Sequence, residues 1–480
     1  MPAGKYKTVI GLEVHAQLNT NTKIFCACRS EYGGEPNTRT CPVCLGLPGA
    51  LPVLNRDAVL KCIRLGLALD CEISPVSIFA RKNYFYPDCP KNYQISMYDR
   101  PLCENGSIEI EAENNKSRIG IERIHLEDDA GKLLHEKGDI SNIDFNRSGV
   151  PLVEIVTDPD IGSAAEAVAF LRTLRQLVRY LGICDGDLEK GSLRCDVNIS
   201  LMLPGAGKLG TRTEIKNLNS FKAVKSGIEF EIGRQSALLD EGKLITQVTQ
   251  LWDETEKKLV AMRGKEEAHD YRYFPEPDLP PLIIDDRFVA EAAADMPELP
   301  GVKKQRFIDD YGLSEYDAGV LTVEKELADY FESLVRETSD PESSCKWVMR
   351  EILGELKESG ITIAEFSLTP RMMGALLILV NDGVINVSAA GQVFSEMISS
   401  GDAAGDIVKR LGLEQISSRK ELGQMVDEVI AGHQEEVGRY QDGNPKLLGF
   451  FIGEVMKMSR GKANPGLLNE LFKDRLKRND

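Results

Sequence analysis

The chain has 480 residues, 42% of them hydrophobic and 28% charged, with a formal net charge of −17. A single core does not grow to that size, so two or three folded domains are expected, and the acidity excludes a global electrostatic attraction to nucleic acid: any RNA contact has to come from a local basic surface. No apolar stretch approaches membrane-spanning length and Met1 to Lys7 lacks the pattern of a secretion signal, which makes the cytoplasm the expected compartment.

From Tyr6 to about Ile284, short alternating runs, β-branched residues and Gly/Pro punctuation predict an α+β domain built largely on antiparallel sheet, with one clear helix from about Ser163 to Gly182. In Thr8 to Leu18 the alternation puts Ile10, Leu12, Val14 and Ala16 on one face and Glu13, His15 and Gln17 on the other.

Cys26-Ala27-Cys28 and Cys41-Pro42-Val43-Cys44 follow, two close pairs twelve residues apart. That spacing can close four thiolates around one tetrahedral ion, and zinc is the natural occupant. Such a site is structural, because four thiolates leave no open position for chemistry. Unligated thiols, or a redox pair at Cys41 and Cys44, are the alternatives. The remaining cysteines, scattered without such spacing, read as reduced core thiols.

Further along, His125 and Glu127 share a face of Arg118 to Glu127, and Glu154 interrupts the apolar run Pro151 to Val156, where burial without a partner is costly. Leu193 to Leu201 turns Arg194, Asp196 and Asn198 away from its apolar side. Thr211 to Asn217 does the same with Arg212, Glu214 and Lys216. Several strands that each turn carboxylates and bases to one side match what a Mg²⁺-dependent phosphoryl-transfer site on a sheet requires, although any one of them also reads as a solvated sheet face. No Gly-rich phosphate loop of the Walker or Rossmann type is present, so a nucleotide would have to bind on the sheet face.

The Pro-rich run Pro275 to Pro281 is expected to lead the chain out of this domain. Beyond Met296-Pro297 the spacing turns helical, with Leu321, Leu327, Tyr330, Phe331 and Leu334 as one stripe and Trp347, Ile352 and Leu356 in the next helix. Gly401 to Gly405 reads as a hinge before a last helical unit. There Asn464-Pro465 starts a helix with an apolar face of Leu467, Leu468, Leu471, Phe472 and Leu476. From Pro445 onward Lys446, Lys457, Arg460, Lys462, Lys473, Arg475, Lys477 and Arg478 outnumber Glu454, Glu470, Asp474 and Asp480. This basic end is the candidate RNA surface; an ordinary solvated helix is the bland alternative.

VIGLEVHAQL from Val9, RKNYFYPDCPKNYQIS from Arg81, HLEDDAGK from His125, GSLRCDVNIS from Gly191, EIKNLNSF from Glu214, DYRYFPEPDLPP from Asp270 and GKANP from Gly461 together resemble the GatB family of tRNA-dependent amidotransferase subunits. The resemblance runs end to end. It implies a cradle domain similar to the glutamine synthetase and guanido kinase group over 1–294, a helical domain over 295–405 and a YqeY-like, tRNA-binding tail over 406–480, with Lys457, Arg460, Lys462 and Lys473 as its RNA contacts. It places metal ligands on Glu13, His15, Glu127 and Glu154, with Asp196, Asn198 and Glu214 as further site residues, and leaves Lys82, Arg194 or Lys216 to neutralise phosphate charge.

The activity it implies has two steps. ATP with Mg²⁺ phosphorylates the side-chain carboxylate of a glutamyl- or aspartyl-tRNA, and ammonia then displaces the phosphate. No glutaminase constellation is visible in this chain, so the resemblance assigns the ammonia to an amidase-like A subunit, joined by a small C subunit. Zinc is expected in only some members. The related archaeal-type subunit carries a synthetase-like insertion for which this length leaves no room. A zinc-containing RNA-binding scaffold without catalysis is the alternative of a different class.

Overall fold

The computed structural model describes residues 5–135, 140–262, 271–416 and 418–477. Asp270 of the DYRYFPEPDLPP segment and Arg478 and Asp480 of the basic end lie outside the described residues. The chain divides into two compact units, Met1–Pro300 and Gly301–Asp480.

The first unit is mixed α/β. Its strands include β1 (Lys7–Gln17), β2 (Glu72–Ile73), β3 (Phe79–Asn83), β4 (Tyr93–Met97), β5 (Cys103–Ala112), β6 (Asn115–Asp128), β7 (Pro151–Thr157), β8 (Leu193–Met202), β9 (Thr213–Lys216), β10 (Thr249–Asp253) and β11 (Lys258–Ala261). Among the described residues, nine of them form one sheet in the order β11-β10-β9-β8-β1-β7-β6-β5-β2, antiparallel throughout except for the parallel β9/β10 pair. β3 instead pairs with β4 on one side and with Phe274–Pro275 on the other, in a small separate sheet.

One face of the large sheet is apolar. Ile10, Leu12, Val14 and Ala16 of β1, Val153 and Ile155 of β7, and Cys195, Val197 and Ile199 of β8 bury there, in one core with residues of helices α1 (Arg56–Ala68), α2 (Ala164–Tyr180) and α3 (Phe221–Asp240). Each helix starts on a side-chain cap: Asn55, Ser163 and Ser220 accept the first free backbone N–H groups. The helices cover the apolar face and leave the opposite face to polar side chains.

Only α2 stands out in the sequence; α1 and α3 are additional. Their pattern is weak for physical reasons. α1 is apolar around most of its circumference, and α3 carries Gly227 and Gly233, which lower intrinsic helix propensity. Gly227 has a use, since a Cβ there would meet Leu218 at 3.1 Å. The Pro-rich run also departs from expectation: it does not lead out but is stitched back on. Phe274–Pro275 pairs with β3, Leu282–Ile283 pairs with Val76–Ser77, and the helix Asp286–Ala294 adds Ala292 to the core.

The second unit is helical and has two cores. Leu321, Leu327, Tyr330, Phe331 and Leu334 share the first with Trp347, Ile352 and Leu356. The helix run Pro341 to Ser359 that carries the last three is widened by a π-turn at Val348–Ile352. Gly401 (φ 74°) ends the helix Val387–Ser400, but Ala404, Ile407 and Val408 of the next helix bury in the same first core, so this break is a helix cap rather than a hinge. The second core begins with Leu422 and includes Phe451, Val455, Leu468, Leu471 and Phe472.

Candidate active site

Strand register assembles the polar face of the sheet into rows. His15 of β1 stands opposite Glu154 of β7 on one side and Arg194 of β8 on the other, and Glu154 stands opposite His125 of β6. The next row holds Glu13 opposite Asp196, and the one after it pairs Asn198 with Glu214.

His15, Glu127 and Glu154 converge: His15 Nε2 lies 3.3 Å from Glu154 Oε2 and 3.5 Å from Glu127 Oε1. One donor atom from each lies within 4.8 Å of the others, close enough to share a cation. His125, which the sequence places on this face without a role, brings its Nε2 within 3.4 Å of Glu154 Oε2. Burial alone would raise the Glu154 carboxyl, but His125 and His15 on either side hold it well below the usual range. Burial would likewise lower His15; the charge of Glu154, its hydrogen bond and the charge of Glu127 raise it instead.

Glu13 lies beside this group. It sits one row along, outside that three-residue group, with its Oε1 accepting from Asn198 Nδ2 at 2.8 Å. Burial first, then the charge of Glu154, pushes its carboxyl up. Asp196, Glu214 and Lys216 make a neighbouring group: Lys216 Nζ is 2.8 Å from Asp196 and 3.1 Å from Glu214, and Glu214 also accepts from Thr249 Oγ1 at 2.6 Å. Burial would lower the Lys216 ammonium, but these two carboxylates raise it. Arg212 precedes β9 and is exposed.

The β3/β4 sheet adds Ser96 and Lys82. Ser96 Oγ of β4 donates to Glu127 Oε2 at 3.2 Å. Lys82 of β3, which burial would discharge, is instead raised by the charges of Glu127 and Glu154. Sequence reading misses Asp129, just past β6. It accepts from Arg194 at 3.1 Å and from Gln17 at 2.8 Å, and Arg147 approaches to 3.5 Å. Arg194 Nε and His125 Nδ1 are nevertheless buried without a hydrogen-bond partner among the described residues. A buried donor left unmade costs about 1–3 kcal/mol, and Arg194 Nε is one such donor. Two carboxylates and an imidazole together fit a divalent cation.

The four cysteines also converge. One sulfur from each lies within 4.8 Å of the others, and the Cys44 and Cys41 sulfurs are 3.8 Å apart. The Cys26 thiol, through its hydrogen bond, pulls Cys44 down to about 4, while burial pushes Cys28 up to about 11. This donor set fits a four-thiolate metal site. Lys23, fully buried, aims its ammonium at Cys44 Sγ (3.6 Å) and at the carbonyls of Arg39 (2.8 Å) and Phe145 (3.3 Å).

Residues 8–290 match the family model described as the GatB/GatE catalytic domain, and residues 329–476 match the GatB domain. The chain belongs to the GatB family. It is 52% identical over 476 residues to the B subunit of the aspartyl/glutamyl-tRNA(Asn/Gln) amidotransferase of Geotalea daltonii, covering 98% of this chain and 99% of that one. It is 51% identical over 468 residues to the same protein of Thermodesulfovibrio yellowstonii (98% of each), and 50% identical over 471 residues to that of Chlorobium phaeobacteroides (98% and 99%). The GatB resemblance read from the seven sequence segments is therefore established over the whole chain.

In the GatB tail, the helix Pro465–Arg475 is capped by Asn464 and buries Leu468, Leu471 and Phe472. Lys457, Arg460, Lys462 and Lys473 are all exposed, Lys457 in an ion pair with Glu454 at 2.6 Å. Arg475 differs: it bonds the Gly423 carbonyl and the Asp427 carboxylate and so ties two helices of the tail together. Among the described residues, no helix is long and apolar enough to cross a membrane.

Proposed function

We propose that the chain is the B subunit of a tRNA-dependent amidotransferase that activates the side-chain carboxylate of glutamyl-tRNA(Gln), aspartyl-tRNA(Asn) or both with ATP and converts it to the amide. The convergence of His15, Glu127 and Glu154 on the polar face of the sheet carries this reading. The names of its relatives support the tRNA substrates and the multisubunit context. The reading treats the first unit as a cradle of the glutamine synthetase and guanido kinase type, and the helical unit as a helical domain followed by a YqeY-like tail that contacts tRNA.

Each part of the site has a task. Glu127, Glu154 and His15 would hold Mg²⁺, with Glu13, positioned by Asn198, next to it. The bound cation supplies charge neutralisation to the phosphate oxygens. Lys82 and Arg194 present fixed positive charge where negative charge develops as the carboxylate oxygen attacks the γ-phosphorus and the bond to ADP breaks. Asp129 keeps Arg194 aimed, and Lys216 with Asp196 and Glu214 extends the charged surface by two strands. Ammonia then attacks the acyl carbon and phosphate leaves with the bond electrons. An activated acyl group exposed to water hydrolyses, so ammonia would reach it from the A subunit within a closed assembly that includes the C subunit, in the cytoplasm. The Cys26/28/41/44 site would hold zinc in a structural role.

An oxygen-labelling experiment tests the reading. Glutamyl-tRNA carrying ¹⁸O in the side-chain carboxylate, turned over by the reconstituted complex with ATP and glutamine, should yield inorganic phosphate containing one ¹⁸O. Unlabelled phosphate alongside labelled amide product would rule out carboxylate phosphorylation.

A further inference from the structure

An aromatic ladder leads from the carboxylate group to the surface. Ser96 Oγ of β4 donates to Glu127 Oε2 at 3.2 Å, and Lys82 Nζ of the paired β3 lies 5.1 Å from the centre of the Tyr271 ring. Tyr271 meets Tyr273 edge to face at 5.9 Å, and Tyr273 stacks on Tyr98 at 4.2 Å with the rings 6° from parallel. Tyr98, one residue past β4, ends the ladder and is 55% exposed.

The ladder is held firmly at its inner end. Asn83 of β3 takes its backbone N–H to the Tyr271 carbonyl at 3.0 Å and its side-chain amide to the Arg272 carbonyl at 2.8 Å. Arg272 has a left-handed backbone (φ 45°), unusual for a residue with a side chain, and Phe274 then enters the strand beside Arg81. Two sequence segments about 190 residues apart are thereby joined so that two tyrosines stand as parallel plates, the outer with much of its surface open to solvent.

A core does not need such a pair. Parallel aromatic plates with one open face are what a flat heterocycle stacks on, and stacking tolerates any base because every base has a π-face. The charge along the ladder fixes orientation: an ammonium and a cation-binding carboxylate group lie at its inner end, where phosphates belong, and uncharged rings at its outer end.

We propose that Tyr98, backed by Tyr273, is the stacking platform for the purine base of the nucleoside triphosphate. This rests on the reading of the carboxylate group as a nucleotide phosphate site and adds to it a subsite for the base. Tyr98 acts by positioning: it touches the base and not the reacting atoms.

The test uses 2-aminopurine riboside triphosphate, whose fluorescence is quenched on stacking, with the full chain in complex with its partner subunits and Mg²⁺. The wild-type complex should quench the probe, Tyr98→Ala should bind it about tenfold more weakly with the quench lost, and Tyr98→Phe should restore both. In turnover, Tyr98→Ala should raise the KM for ATP with kcat preserved. A quench equal in Tyr98→Ala and wild type, no quench in the wild type, or a quench seen only when the probe replaces the terminal adenosine of the tRNA would each overturn the platform. Wild-type ATP cleavage stimulated by mischarged tRNA is measured in parallel, so a failed platform on an active kinase is distinguished from a failed kinase reading.

Discussion

Glu154 Oε2 lies 3.4 Å from His125 Nε2, on a strand pair that sets the two residues directly opposite each other. His125 belongs to no metal ligand group among the described residues, so its place is behind Glu154, fixing the carboxylate that faces His15. Groups in that position typically change metal affinity 10–100-fold. His125→Asn should therefore weaken Mg²⁺ or Mn²⁺ binding by about tenfold or more in calorimetric titration, with the melting temperature little changed. Unchanged affinity would remove His125 from the site.

Lys23 connects the cysteine loop to the segment before β7. Besides its own bond to Phe145, Asn37 bonds Ile143 and Asp144, Arg39 bonds Asn146, and Ser148 bonds Cys44. Lys23→Met leaves two carbonyls without their donor and should cost about 2 kcal/mol or more in denaturant unfolding. Removing the metal by chelation should increase amide hydrogen exchange in 143–150 as well as in the cysteine loop. An increase confined to the loop would show that the two segments are independent.

Much of this site can be read in the sequence, and the failures have definite causes. Glu13, His15 and Gln17 share a face because Ile10, Leu12, Val14 and Ala16 must share the other; alternation settles that without knowledge of any partner. Which of Glu13 and His15 stands opposite Glu154 depends on the β1/β7 register, and alternation is silent about register. The β3/β4 sheet is illegible for a related reason: its third strand, Phe274–Pro275, comes from far along the chain. Asp129 gives no signal because its partners, Arg194 and Gln17, lie on two other strands.

Glu231 offers a test of pH dependence away from the metal site. Fully buried in α3, it accepts from Thr213, Arg234, Gln235 and Gln250 and joins the helix to β9 and β10. Burial would raise its carboxyl, but these donors, Arg234 foremost, lower it. A depressed carboxyl adds stability above its ordinary value near 4.5 and loses it as pH falls through the depressed value. Glu231→Gln should thus lose about 2 kcal/mol at neutral pH and show a flatter decline in acid, followed by urea unfolding across pH. Parallel curves for the two proteins would contradict this.

In the tail, charge reversal should separate contact from structure. Lys473→Glu and Lys462→Glu should leave melting unchanged and weaken tRNA binding, each reducing the slope of log affinity against log salt by about one. Arg475→Ala should lower the melting temperature of the helical unit, because it removes the tie to Gly423 and Asp427. Salt slopes unaltered in the lysine variants would move the RNA surface elsewhere.

The most direct measurement is the rate of [γ-³²P]ATP cleavage by the reconstituted complex with and without mischarged tRNA, in wild type, Glu127→Gln and His15→Ala. Cleavage should depend on the mischarged tRNA and fall by about 100-fold or more in both variants while tRNA binding persists. Undiminished, tRNA-stimulated cleavage in both would show that the His15, Glu127 and Glu154 group is not where phosphoryl transfer occurs.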